Sequence, residues 1–384
     1  MSNRETNLLI VGAGPFGLAV AAQAAHDGIE HLIVGKPMEF WQRNMPKGMF
    51  LRSACDWHLD PLDVHTIEAF LRTQGKTPRD VEPLSLEFYL SYVEWFEKQK
   101  GIQPLPVYIQ MLERNEHFVA TTTDGDVINA QRVVLAPGFK HFAHTPPDLK
   151  AKLPHGRYQH TCQYVDFSEA SDKRFLIIGG RQSAFEWAAL LLEAGAAAVH
   201  ISHRHTSPVF ATADWSWVNP LVDSIFENPN WFRRLSQPQQ NAISLRMWAE
   251  GRLKLEPWLK PRLKDDRVKV WPETEVTSCI EQEDGELVVT LTNGETLHVD
   301  QIVLATGYKV DIAQLPLLAA GNILELLETR NGFPVLDDHF ETSVPGLFIT
   351  SMPAAQDFGP FFGFTISVRT SAKLICQRLV SQEV

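Results

Sequence analysis

The chain has 384 residues, 44% of them apolar and 21% charged, a composition that fits a globular protein of two or three domains and excludes a disordered chain. Its 35 basic against 46 acidic residues leave a net charge of −11, which argues against a nucleic-acid or anionic-membrane partner. No uncharged apolar run reaches the roughly 18 residues of a membrane span, and no signal-peptide pattern precedes the first strand, so a cytoplasmic location is expected.

"NLLIVGAGPFGLAVAAQAAHDG" predicts a strand, a glycine turn and an Ala-rich helix ending near Gly28, and "HLIVG" a second strand: a βαβ unit. Gly12, Gly14 and Gly17 form G-x-G-x-x-G, followed from within by Pro15 and Phe16. The first glycine permits the turn, the second lets backbone approach a pyrophosphate, and the third lets helix and strand pack closely. An acid usually ends the second strand and holds the ribose. Here that position is Gly35, and Glu39 is the nearest acid.

Residues 36–66 read as irregular, and "SLEFYLSYVEWFEKQKG" as an amphipathic helix with a glycine stop. "HFVATTTDGDVINAQRVVLAPG" predicts two strands around an Asp-Gly turn and then a buried strand ending in Pro137-Gly138. A second βαβ unit spans 174–204. Its turn holds Gly179, Gly180, Arg181, Gln182 and Ser183, with Arg181 where the second fingerprint glycine belongs. A guanidinium there can itself pair with phosphate. The second strand ends "VHISHRH" without an acid, so Arg204 falls where a 2′-phosphate projects and favours NADP over NAD. The competing reading is a solvated loop.

Residues 208–262 predict a mostly helical, Trp- and Pro-rich insert. "ELVVTLTNGETLHVDQIVLATGY" reads as a hairpin and a strand ending at Thr306 and Gly307, and the chain closes with a strand and a helix. The expected fold is α/β with two Rossmann-like dinucleotide-binding domains. The first comprises 1–165 and 301–384, and the second, 166–300 with the insert, is inserted in it. Cys55, Cys162, Cys279 and Cys376 form no C-x-x-C pair, so neither a local dithiol nor a metal site is expected.

"HGRYQHTCQY" contains Gly156-x-x-x-His160-x-x-x-Tyr164, which resembles the fingerprint of class B flavoprotein monooxygenases: flavin-containing, Baeyer–Villiger and lysine/ornithine N-hydroxylase types. "LATGY" resembles another motif of that group, and "FWQRNMPKGMFLRSACDWHLDP" and "FGPFFGF" resemble a bacterial CzcO-like branch. Pro154 stands where the fingerprint has Phe, and "ITSMPA" where related reductases have A-G-D.

The resemblance implies FAD in the first unit and NADPH in the second. NADPH would reduce FAD, and O₂ would add to give a C4a-(hydro)peroxyflavin that oxygenates a small nucleophilic metabolite, N- or S-hydroxylation being favoured over ketone oxidation. The alternatives are a flavoprotein reductase or dehydrogenase serving a protein or quinone, and a non-catalytic redox sensor. A homodimer is left open.

The resemblance also implies roles for particular residues. His160 and Tyr164 would couple reduction to oxygenation; the competing reading is a satisfied linker histidine and a hinge-packing tyrosine. Trp41, Leu51, Arg52, Ser53, Trp57 and His58 would lie near the flavin ring, Arg52 as its charged partner and Trp57 toward substrate. Phe358 and Gly359 precede the closing helix, whose N-terminus would face the flavin. Trp215, Trp217 and Asn219 would face substrate, though the tryptophans are equally suited to a domain interface.

Overall fold

The computed structural model describes residues 3–382. Its first sheet begins with the predicted βαβ unit: Asn3–Val11, helix Pro15–His26, and His31–Val34 parallel to the first strand in the register Val11↔Val34. On the other side Asn3–Val11 pairs in parallel with Val127–Leu135, Val11 opposite Leu135. That central strand is shared lengthwise. Its first half takes the antiparallel neighbour Phe118–Thr122, and its second half takes Leu347–Ile349 in parallel. A further strand, Ile109–Arg114, extends the hairpin and was not expected.

The helix Pro15–His26 is buried over ten of its residues, so its small side chains are core rather than surface. The closing helix Val368–Ser381 packs along it, with Cys376 against Val20. The chain end therefore returns to the first unit, as expected for an inserted second unit.

The second sheet is wholly parallel, in the order Val268–Pro272, Ala198–His203, Arg174–Ile178, Gln301–Leu304, Tyr158–His160. This moves both expected domain boundaries. Tyr158–His160 and Gln301–Leu304, placed in the first unit from sequence, are adjacent strands of the second. Short strands carry little periodic signal, and only pairing assigns them. A three-stranded antiparallel layer, Val276–Glu281, Leu287–Leu291 and Thr296–Val299, packs on this sheet around Leu176, Ile302 and Leu304.

The insert holds the helices Val218–Glu227, Trp231–Arg234 and Gln237–Arg252, and its neck is closed by the two-residue strands Val209–Phe210 and Lys254–Leu255. It buries Val218, Val222 and Met247 with Trp57, Phe361 and Ile366 of the first unit. Among the described residues, no helix is long and apolar enough to cross a membrane, and no His/Cys/Asp/Glu cluster could hold a metal.

The irregular stretch after the first βαβ unit is anchored by Asp60, which is fully buried. One carboxylate oxygen meets Lys100 Nζ at 2.7 Å, and backbone N–H groups of Leu62, Val64 and His65 donate to the carboxylate. Burial raises its pKa, but the Lys100 ammonium and the N–H groups of His65 and Leu62 outweigh that and hold it below the usual range. Asp60→Ala strands the Lys100 charge and should cost about 3 kcal/mol in denaturant melts. A depressed folded pKa gives stability above the unfolded value of about 3.9, lost as pH falls through the folded one. Asp60→Asn should therefore flatten the acid limb of the stability–pH curve. An unchanged limb would dismiss Asp60 as the anchor.

Candidate functional site

The first glycine turn is dictated by close backbone contacts. Gly12 has φ +114°, and a Cβ there would lie 2.3 Å from the carbonyl oxygen of Ala136. A Cβ on Gly17 would lie 1.8 Å from Gly12 O, so the helix packs on the strand only with glycine. Gly14 differs: it has extended backbone, caps the helix, and a Cβ on it meets nothing within 4 Å. Open space before a helix N-terminus suits a phosphate. Gly35 has φ +132° with its virtual Cβ 3.0 Å from Ala13 N, which explains why the usual ribose acid is missing. Glu39 lines the same wall instead, beside Tyr108. Burial, then the hydrogen bond and charge of Glu39, push the Tyr108 hydroxyl up to about 12.

The second turn repeats the plan. A Cβ on Gly179 (φ +142°) would lie 2.4 Å from Ala305 O, and one on Gly180 would lie 2.4 Å from the His203 ring. Arg181 takes the place of Gly14 as the cap of its helix, Gln182–Glu193, with φ −118° and ψ −177° against −91° and −173°. An L side chain sits there without strain. Its guanidinium lies 5.7 Å from the Trp248 ring centroid. Burial, then the charges of Arg252 and Arg204, push it down to about 10, so it remains a cation at neutral pH. Arg204 is exposed on the same wall, and His203 donates from Nδ1 to His205 O at 2.8 Å.

One cavity of about 970 Å³ joins the two turns. Gly12, Gly14, Pro15, Phe16, Trp41, Ser53 and Gly138 line it from the first unit, and Gly179, Gly180, Arg181, Ser183, Arg204, Thr306 and Gly307 from the second side. Gly17 lies just behind. Three aromatic residues missed in the sequence stand between the turns: Phe139 is 5.2 Å from Tyr308 and 5.9 Å from Phe40. Phe139 and Tyr308 each follow a glycine three residues past the end of a parallel strand, Leu135 or Leu304, and ligands of open α/β sheets sit at such strand ends. That position was the usable signal. Ser351 also lines the cavity, at φ +70°, with a buried hydroxyl that has no partner.

Several expected site residues are elsewhere. Arg52 turns away from the cavity and spends its donors on the insert: Nε meets Glu256 at 2.8 Å, Nη2 donates to Lys254 O at 3.2 Å, and Nη1 to Gly251 O. It is a clamp, not a flavin partner. His160 is buried; Nε2 donates to Gly307 O at 3.0 Å, which leaves Nδ1 to accept from Cys162. Burial lowers its pKa, so it is a neutral, satisfied linker histidine. Tyr164 packs on Phe167 and Phe175 while its carbonyl accepts from Trp187.

Leu51 pairs its N–H with Leu84 O, and His58 lies buried between Asp63 and Arg369. Gln182 accepts from the Glu256 N–H. Trp57 donates to Asn219, and with Trp215 and Trp217 it belongs to the interface between insert and first unit, not to a substrate pocket. Phe358 stacks on Phe340 at 3.8 Å, and Gly359 rests against Phe232. For Leu51 and Arg52 the reason is that the chain leaves the cavity after Met49 and returns to it at Ser53.

The pyridine nucleotide-disulphide oxidoreductase family matches residues 9–232, more than half of the chain, and again 249–350. A ferredoxin–NADP reductase of Anaplasma marginale is 25% identical over 52% of this chain and 54% of its own, so the chain spans about half of that relative's length. An uncharacterized CzcO-like oxidoreductase of Geobacillus kaustophilus is 22% identical over 90% of this chain and 91% of its own. In structure, an ornithine N-hydroxylase of Kutzneria sp. 744 has a TM-score of 0.80 at 16% identity, covering 99% of this chain and 100% of that one. At that identity it establishes the shared two-unit fold.

The glycine contacts give a discriminating test. Gly12→Ala and Gly17→Ala collide with backbone and should lower the melting temperature of the unliganded protein by several degrees, about 2 kcal/mol or more. Gly14→Ala meets no protein atom, so it should melt like wild type and lose only dinucleotide affinity. A destabilised Gly14→Ala protein would show that this glycine serves the fold and not a ligand.

Proposed function

Because the chain belongs to the pyridine nucleotide-disulphide oxidoreductase family, we propose that it is an NADPH- and FAD-dependent monooxygenase of a small nucleophilic metabolite, an amine before a thioether or ketone. The observation that carries this is the single cavity spanning both glycine turns with no cysteine pair in it. All four cysteines are free, and Cys162 alone reaches the wall. Electrons arriving from a nicotinamide have no protein dithiol to enter, so they leave to a small acceptor. The amine is the substrate class of the ornithine N-hydroxylase whose fold the chain shares.

The residues fit both groups. Gly12, Gly14 and the helix N-terminus at Pro15 suit the FAD pyrophosphate, with Glu39 as the acid nearest a ribose. The buried hydroxyl of Ser351 and Nε2 of His203 are unpaired polar atoms that bound dinucleotides would satisfy. Arg181 and Arg204 suit the pyrophosphate and 2′-phosphate of NADPH. Held there, FAD and NADPH would supply hydride transfer and the reduction of O₂, with one oxygen atom going to substrate and one to water. The protein's own part is placement and dryness: Phe40, Trp41, Phe139 and Tyr308 wall the middle of the cavity with rings. Among these residues no side chain is needed as nucleophile. His160, neutral and fully bonded, positions Gly307 instead of moving protons. The second reading, a reductase serving a protein or quinone, is favoured by the ferredoxin–NADP reductase relative.

The deciding experiment measures NADPH and O₂ consumed against product across amines, thioethers and ketones. We expect hydroxylated amine nearly equal to NADPH consumed. Peroxide equal to NADPH with every substrate class, or rapid reduction of a ferredoxin or quinone, would overturn the monooxygenase reading. For the nucleotide, Arg204→Ala should weaken NADPH by roughly 10- to 100-fold and leave NADH nearly unchanged, as a lost charge-assisted pair requires. Equal losses for both cofactors remove the 2′-phosphate assignment.

A further inference from the structure

Arg181 and Arg204 line the wall of the second glycine turn, and the insert helix that ends in Arg252 brings its Trp248 ring beside Arg181. Arg181 caps the helix Gln182–Glu193, Arg204 follows the strand Ala198–His203, and Arg252 ends the insert helix Gln237–Arg252. The Arg181 guanidinium lies over the ring of Trp248, one turn before Arg252 on that helix, 5.7 Å from its centroid. Among the described residues no carboxylate pairs with any of the three, in a chain that carries an excess of acids. Neighbouring arginines are treated differently: Arg52 pairs with Glu256, Arg262 with Glu193 and Arg267 with Asp265. Both Arg252 and Arg204 lie near enough to depress the Arg181 pKa, Arg252 more strongly. Like charges held together repel, and an anion between them removes the repulsion.

We propose that the helical insert binds the phosphorylated nucleotide directly, through Arg252, so that the nucleotide pins the insert over the cavity. This rests on the nucleotide reading of the pocket and adds to it a residue from outside both dinucleotide units. The insert is then held from two sides. Arg52 of the first unit grips Gly251, Lys254 and Glu256, on either side of Arg252. The nucleotide phosphates grip Arg252 itself.

The test uses the flavin-loaded protein and 2′,5′-ADP as probe, followed by titration calorimetry, with hydrogen exchange of residues 237–252 and melting temperatures alongside. We expect Arg252→Ala to weaken 2′,5′-ADP about tenfold, Arg252→Lys to recover much of that, and the unliganded Arg252→Ala protein to melt no lower than wild type, because a repulsion has gone. Exchange in 237–252 should slow when 2′,5′-ADP binds wild type and stay fast in Arg252→Ala. Arg252→Gln, which keeps the aliphatic stem, serves if the alanine protein does not fold. Wild-type affinity in the Arg252 variants, or exchange unchanged by a probe that does bind, overturns the proposal and leaves the nucleotide reading standing. Failure of wild type to bind 2′,5′-ADP at all takes down both.

Discussion

A carbonyl oxygen pressed against a glycine organises each half of this molecule. Ala136 O sits against Gly12 and Ala305 O against Gly179, each at a distance no side chain tolerates. The contact draws the end of one parallel strand onto the turn after its neighbour. The following helix must then start at the strand ends, its N–H groups aimed outward. Both turns obey this rule, so both helices face one cavity. The aromatic wall, the arginines and the insert are arranged around a geometry already set by two glycines and two carbonyls.

The two units obey the same backbone rule with opposite electrostatics. At the first turn Gly14 leaves the helix N-terminus bare, and phosphate would meet backbone alone. At the second, the equivalent residue is Arg181, backed by Arg204 and Arg252. The backbone dihedrals nearly coincide, so the difference lies wholly in the side chain. A net charge of −11 describes the surface as a whole; within the cavity the sign is reversed, and it is the local sign that a phosphorylated ligand meets.

The architecture was legible because strand–turn–helix signals are local: the glycine turns, the Asp-Gly and Asn-Gly hairpins and the Ser85-to-Gly101 helix all stand where the pattern puts them. The boundary strands Tyr158–His160 and Gln301–Leu304 were misassigned because membership of a sheet is a pairing property. The site was half legible. Residues on the turns line the cavity. On the irregular stretch only some do: Trp41 and Ser53 reach the wall, while Leu51, Arg52, Trp57 and His58 do not, since nothing local tells whether Arg52 faces a ring or a carboxylate 204 residues away. Tryptophans 57, 215 and 217 look like a binding surface in one dimension and are an interface in three. Tyr308 carries no local mark of its place, because an aromatic residue after a glycine turn faces the cavity only by virtue of how the two sheets meet.

The strands by which the chain passes into and out of the second unit, Tyr158–His160 and Gln301–Leu304, lie side by side and run the same way. The backbone thus enters and leaves the second unit at neighbouring points, while the insert reaches back to pack on the first unit. A unit connected in this manner behaves as a cassette. It can be exchanged, lengthened or given a new insert while the first unit closes around the same two points. The fold therefore separates what must be kept, the glycine cradle at the first turn, from what can be rewritten, the second turn and the insert beside it.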